Sequence, residues 1–374
     1  MKRRTLVAGL GLGCLHCATL AQEQWAAPAR FVRPEAGSDE GGLWAMMERE
    51  ETKLRRSPFL LRDAPLRDYL QEIACKLAGD HCADVRVYPV RTPFFNASMA
   101  PNGMMQVWSG LLLRVDNEAQ LAAVLGHEIG HYLQRHSLER LRDAKARSAF
   151  GMFMGMFGIV GLVGQMAALA GAFGFSRDQE RQADSIGLAL MRRAGYDTRE
   201  AAKIWENLRA EVAAGHDPSR GSPLFATHPP SEERSATLTR LAEADSGGFV
   251  GEAELGSRLA TLQQMMLEDE LKRGQHGETL VLLDRLVKRS PQRADLLYFR
   301  GETRRLRAQD GDLDLALQDF EQARAIGQEP PQLYRAQGYI HRSREQTEQA
   351  RAAFARYVEL APEAADAGLI KSFL

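Results

Sequence analysis

The sequence predicts a mainly α-helical chain of the α+β class, with one small antiparallel sheet in its first part and paired helices in its second. Three observations predict it. Apolar residues recur at helical spacing through most of the chain, as at Leu66, Leu70, Ile73 and Leu77, or at Leu121, Val124, Leu125 and Ile129. Residues 85–109 instead alternate apolar and polar side chains, as short strands do. Beyond residue 246 the helical pattern recurs with an offset of 34 residues. At 374 residues the chain is long enough for two sizeable cores. A formal charge of −1 at pH 7 offers no basic surface for nucleic acid.

In chain order, residues 1–21 read as a secretory signal. Lys2, Arg3 and Arg4 precede an apolar run over residues 5–15, and small Thr19 and Ala21 suit cleavage before Gln22. The alternative is a lipoprotein acylated at Cys14, which follows Gly11-Leu12-Gly13. Either reading sends the mature chain to an oxidising compartment, where Cys75 and Cys82 are expected to close a short loop as a disulfide. Residues 22–60 form an extension, Pro- and Gly-rich at first and then helical over 42–55. Asp63-Ala64-Pro65 starts the next helix. Strands follow over residues 85–90, 94–99 and 104–109, the last two joined at Pro101-Asn102-Gly103. The free edge of such a sheet lets an extended peptide add as a strand, with Asn96 and Ala97 as candidate contacts; the alternative is a purely structural hairpin.

The chemistry concentrates in residues 117–136. Asp116 or Asn117 caps a helix there, and Gln120 stands three residues after Asn117 as in a capping box. The helix carries His127-Glu128-x-x-His131. Residues four apart on a helix point about 40° from each other, so both imidazoles reach one metal ion. Glu128 is offset around the helix, where it addresses a water rather than the metal. Zinc, one ion per chain, suits two neutral imidazoles, a third ligand and an open position. A second helix, from about residue 175 to 194, presents Glu180 and Asp184 on one face. Glu180 can complete a His-His-Glu set and Asp184 can hydrogen-bond the far nitrogen of a zinc histidine; the alternative is a solvated acidic face.

Between the two helices, residues 148–176 contain no charge and are punctuated by Gly151, Gly155, Gly158, Gly161, Gly164, Gly171 and Gly174. The run is long enough to span a membrane, but its two ends must meet at one metal. A lid or interfacial segment in peripheral contact with a bilayer therefore fits better than a single span. Thr227-His228-Pro229-Pro230 holds a histidine on a loop, either a fourth ligand or a donor to the oxyanion. After a junction at Ser246-Gly247-Gly248, Ala316, Phe320 and Ala323 recur as Ala350, Phe354 and Tyr357, and Leu282 and Leu286 stand one period earlier. This is the tetratricopeptide pattern of paired helices, expected over residues 246–374.

Together, Asn96-Ala97, Pro101-Asn102-Gly103, Ser109-Gly110-Leu111-Leu112, the histidine motif through His136, Ser176-Arg177-x-x-Glu180-x-x-x-Asp184 and Thr227-His228-Pro229 with Arg234 resemble the M48 family of zinc metallopeptidases. The resemblance implies a zincin-type peptidase domain over residues 61–245, zinc on His127, His131 and Glu180, and Glu128 as general base. It also implies that His228 can sit on the metal at rest, and that 148–176 is an active-site lid. With a tetratricopeptide tail, it further implies a periplasmic endopeptidase in outer-membrane protein quality control, meeting misassembled outer-membrane proteins and their assembly machinery. The second reading is a chaperone or adaptor acting through its repeats, with a latent metal centre.

Overall fold

The computed structural model describes residues 28–146, 175–215, 228 and 231–374. The signal segment with Cys14, and the glycine-rich run as far as residue 174, lie outside the described residues. Among the described residues, no helix is long and apolar enough to cross a membrane.

From residue 28 on, the extension carries the helix expected over 42–55, begun three residues earlier and ended one later. Ser38 caps α1 (Asp39–Arg56) by accepting from the Gly41 amide. The helix buries Leu43, Met47 and Leu54 against Val90, Met104, Leu138 and Leu141. Asp63 caps α2 (Ala64–Ala78), which has proline in its first turn, and Cys75 and Cys82 are disulfide-bonded across the 3-10 turn that follows.

Strands β1 (Arg86–Val90), β2 (Ala97–Met99) and β3 (Met104–Trp108) form a sheet of order β1-β3-β2. The expected antiparallel sheet is mixed instead: β2 and β3 are antiparallel, but β1 runs parallel to β3, with Arg86 opposite Met104. The β2–β3 hairpin turns at Pro101-Asn102-Gly103, where Gly103 has φ +86° and a Cβ would meet Asp84 O at 1.9 Å. The hairpin thus lays β3 beside β1 in the same direction, and β2 becomes the far edge. Strand β2 is also shorter than expected. Residues 92–93 are drawn onto the start of the next helix, where Gly110 N–H donates to Thr92 O, and Phe95 turns in to meet Trp205 edge-on.

Short α3 (Ser109–Arg114) leads to α4 (Glu118–Leu133), around which this half is built; all sixteen of its residues are buried. Asn117 accepts from the Gln120 amide, while the Gln120 side chain accepts from the Asp116 amide, so the cap is shared over two residues. Helix α5 (His136–Ala146) follows a break at Arg135, φ +59°. Helix α6 (Arg177–Arg193) starts two residues later than expected because Ser176 and Gln179 form a reciprocal capping box. Helices α7 (Glu200–Ala213) and α8 (Glu232–Ala242) complete the surround.

Helices α4 and α6 approach through glycine. Gly126 and Gly130 flank the two site histidines on α4, and a Cβ on either would lie 3.2 Å from Gly187 O or 3.0 Å from Ala183 O. A Cβ on Gly187 would lie 3.0 Å from the His127 nitrogen. The helices pack backbone to backbone, which brings short acidic side chains of α6 onto the histidines of α4.

The junction is docked rather than free. Phe249 N–H donates to Gly195 O and its carbonyl accepts from Asp197, while the carbonyls of Val250 and Gly251 accept from Ala119 and Glu118. The last two are first-turn amides of α4 that no intrahelical carbonyl reaches. Helices α9 (Glu252–Leu259), α10 (Gln263–Lys272), α11 (His276–Arg289), α12 (Ala294–Arg307), α13 (Asp312–Ile326), α14 (Gln332–Ser343), α15 (Thr347–Leu360) and α16 (Ala367–Lys371) follow. Gly301 on α12 faces Phe320 on α13, and Gly338 on α14 faces Phe354 on α15, the same contact in two successive hairpins. One apolar core runs without interruption from Leu66 to Ile340. Buried Arg114 spans it, donating to Glu211 on α7 (2.7 Å) and Glu270 on α10 (2.8 Å).

Candidate metal centre

Four side chains from three places in the chain converge over the middle of α4. His127 Nε2 and His131 Nε2 lie 3.0 Å apart. Glu180, from the first turn of α6, brings Oε2 to 3.5 Å from His127 Nε2 and Oε1 to 3.3 Å from His131 Nε2. His228 places Nδ1 2.7 Å from Glu180 Oε1 and 3.1 Å from His127 Nε2. The histidines are buried and the Glu180 side chain is 12% exposed. The ligand atoms of all four lie within 4.8 Å of one another. A tetrahedral zinc ion with bonds of about 2.0–2.1 Å separates its ligand atoms by roughly 3.3 Å, so the donor set and its spacing fit that ion. Glu128 Oε1 and Glu180 Oε2, both buried, make no hydrogen bond among the described residues. Buried carboxylate oxygens left this way are what a cation or a held water satisfies.

Each histidine is braced from behind. His127 Nδ1 lies 2.8 Å from Asp184 Oδ1, one turn beyond Glu180 on the same face of α6. Arg234, on α8, donates through Nη2 to Asp184 Oδ1 at 2.6 Å, sets Nη1 3.3 Å from Glu180 Oε2, and stacks its guanidinium 3.6 Å above the Trp205 ring. His131 Nδ1 lies 2.8 Å from His136 Nδ1, and Phe175 stacks on the His131 ring with centroids 3.8 Å apart. Glu128 is buried beside the cluster, with Oε1 3.7 Å from His228 Nε2.

The electrostatics follow from burial opposed by local charge. Burial pushes the His131 imidazole well below its ordinary value, so it is neutral, as a ligand must be. Burial also raises the Glu128 carboxyl, against the pull of His228 and His127. Burial acts on Glu180 in the same direction, but His228, His127 and the hydrogen bond with His131 outweigh it and hold the carboxylate well below its usual range. Asp184, likewise opposed by burial, is kept ionised chiefly by Arg234 and His127.

Of the residues singled out in the sequence, His127, Glu128, His131, Glu180, Asp184, His228 and Arg234 come together here. Ala97 begins edge strand β2, which packs against α4, and Asn96 directly precedes it; neither they nor the Cys75–Cys82 pair contribute a ligand atom to the cluster. Sequence reasoning gave no role to His136, Gln182, Phe175 or Trp205. His136 had one signal, a third histidine closing the motif. The aromatic pair had none, because stacking partners far apart in sequence leave no pattern.

Residues 60–242 match the family model described as peptidase family M48. The chain is similar to the mitochondrial metalloendopeptidase OMA1 of Arabidopsis thaliana, 36% identical over 154 residues that make up 41% of this chain and 31% of that protein. It is also similar to the beta-barrel assembly-enhancing protease of Escherichia coli (strain K12), 31% identical over 206 residues, covering 49% of this chain and 40% of that protein. Against the protein of the same description in Yersinia pestis it is 28% identical over 242 residues, covering 57% of this chain and 48% of that one. The chain thus spans less than half the length of each of these relatives. With the cluster of His127, His131, Glu180 and His228 at its centre, the stretch from residue 60 to 242 is a peptidase family M48 domain.

Proposed function

We propose that the chain is a zinc-dependent endopeptidase of the bacterial periplasm that degrades misassembled outer-membrane proteins. The observation that carries it is the meeting of His127, His131 and Glu180 with a buried Glu128 oxygen beside them that makes no hydrogen bond among the described residues. Similarity to beta-barrel assembly-enhancing proteases supports the substrate class and the location, and the basic-apolar start of the chain supports export.

The sheet edge binds the substrate. Asn96 O accepts from Trp108 N–H and Ala100 N–H donates to Met104 O, so in the alternating antiparallel pattern the backbone groups of Ala97 and Met99 face away from β3. No strand covers that edge among the described residues. An extended peptide pairs there and lies across α4. His127, His131 and Glu180 would hold a zinc ion, which would supply Lewis acidity for a water and for the scissile carbonyl. Glu128 takes the proton as the water oxygen bonds to the carbonyl carbon, and returns it to the nitrogen as the C–N bond breaks. A carboxyl raised by burial suits both transfers better than a strong acid would. Arg234 holds Asp184 and Glu180 in place. His228, within reach of Glu180 and His127, would join the metal-holding set at rest and keep substrate out.

In this reading residues 246–374 are tetratricopeptide repeats that present substrates or the assembly machinery to the peptidase, supported by the recurring Gly301–Phe320 and Gly338–Phe354 contacts. That helical half also favours the second reading, an adaptor with a latent metal centre. Cleavage of an unfolded reporter such as casein separates the two. The peptidase loses cleavage to a chelator and regains it with added zinc; an adaptor protects or binds the reporter without cutting it under either condition.

A further inference from the structure

The two histidines of α4 are braced by different chemistry. His127 faces a carboxylate, Asp184, itself neutralised by Arg234. His131 faces another imidazole: its Nδ1 lies 2.8 Å from His136 Nδ1, and His136 Nε2 lies 3.1 Å from Gln182 Oε1 on α6. Both rings are buried, each 2% exposed, so bulk water is not their partner. His136 reaches this place because Arg135, in the left-handed region at φ +59°, ends α4 and turns the chain back on its own last turn. Residues other than glycine are disfavoured in that region, so the turn is a specific feature of this chain.

These contacts allow one consistent arrangement of protons. An amide oxygen only accepts, so against Gln182 Oε1 the proton of neutral His136 sits on Nε2 and its Nδ1 offers a lone pair. His131 must then donate from Nδ1, which leaves its Nε2, the nitrogen facing Glu180 and His127, bare. The opposite tautomer of His131 would set its lone pair against that of His136 and put an N–H where a ligand atom is needed; flipping His136 as well would set its Nε2 lone pair against Gln182 Oε1. An imidazole does this without adding charge to a site that already holds Glu128, Glu180 and Asp184. We propose that His136, itself fixed by Gln182, is a positioning residue that sets the tautomer and ring direction of His131 for metal binding. The inference rests on the metal-centre reading above and assigns roles to two residues that lie outside the ligand set.

The test is zinc affinity of the full chain by competition with a chelating dye, together with the visible bands of the cobalt(II)-loaded chain. His136→Ala is expected to weaken zinc binding by roughly 10–100-fold and to shift the cobalt bands. His136→Asn, whose Oδ1 restores an acceptor near the position of Nδ1, is expected to recover most of the affinity and the wild-type spectrum, which a merely space-filling role would not do. Affinity of His136→Ala within twofold of wild type, or an Asn variant no better than the Ala variant, overturns the proposal. Should His136→Ala fail to fold, Gln182→Leu on the exposed face of α6 must weaken binding in the same direction; wild-type affinity there overturns it too. A wild-type chain that takes up no stoichiometric zinc overturns the metal-centre reading itself, a result distinct from all of these.

Discussion

Substituting Gly187 by alanine tests how the site is assembled. Gly187 lies three residues beyond Asp184 and seven beyond Glu180, on the same face of α6. A Cβ there would meet His127 N at 3.0 Å, Gly126 C at 3.2 Å and His127 Cα at 3.3 Å, where 3.4–4 Å is ordinary contact. All three are backbone atoms of a buried helix, so no side chain can move aside. The helices must give by a few tenths of an ångström, comparable with the ±0.2 Å over which ligand distances are tolerated in a metal site. Overpacking of this kind costs about 1–3 kcal/mol, and if all of it falls on the bound state, zinc affinity drops by roughly 5- to 150-fold. Chelator competition on the folded chain reads the affinity, and thermal unfolding of the metal-free chain reads the packing cost. Wild-type zinc affinity and an unchanged unfolding midpoint would refute the idea that backbone-to-backbone packing sets the ligand geometry.

Two further substitutions test other parts of the structure. Glu51 is buried among Arg86 (2.7 and 2.8 Å), Tyr88 (2.6 Å), Asn102 (2.9 Å) and Arg55 (2.9 Å); burial raises its carboxyl, but Arg86, Tyr88 and Arg55 more than reverse this and hold it at about 2. A depressed carboxylate contributes stability that is present above its ordinary value near 4.5 and is lost as pH falls through about 2. Glu51→Gln should therefore cost on the order of 3 kcal/mol at neutral pH, with its gap to wild type closing between these two values in acid denaturation; a constant gap would contradict it. His228→Ala should raise casein cleavage if the side chain holds the fourth position at rest, and a collapse of cleavage would make it a group that supports the reaction instead.

Much of the site was legible because its spacing is local. His127 and His131, like Glu180 and Asp184, are four residues apart on helices whose caps, Asn117 and Ser176, are written beside them. What was not legible depends on neighbours distant in sequence. Alternation of Val85, Val87 and Val90 says that one face is buried but not whether the adjacent strand runs parallel, so the mixed sheet could not be read. Gly126, Gly130 and Gly187 look like poor helix formers until the facing helix is present. The loop-like Gly247-Gly248 stretch leads into backbone groups that cap α4, a role set by the ends of α4 and α6 rather than by composition. His136 needed the left-handed turn at Arg135 to become a neighbour of His131.

Glu128→Gln isolates the general base, with zinc content and casein cleavage measured on the same preparation. Glutamine keeps the shape of the side chain beside His228 and leaves His127, His131 and Glu180 untouched, but it cannot accept the proton of the attacking water. The variant is expected to hold one zinc per chain, as in wild type, and to lose cleavage. Retained cleavage at wild-type zinc content would contradict that role.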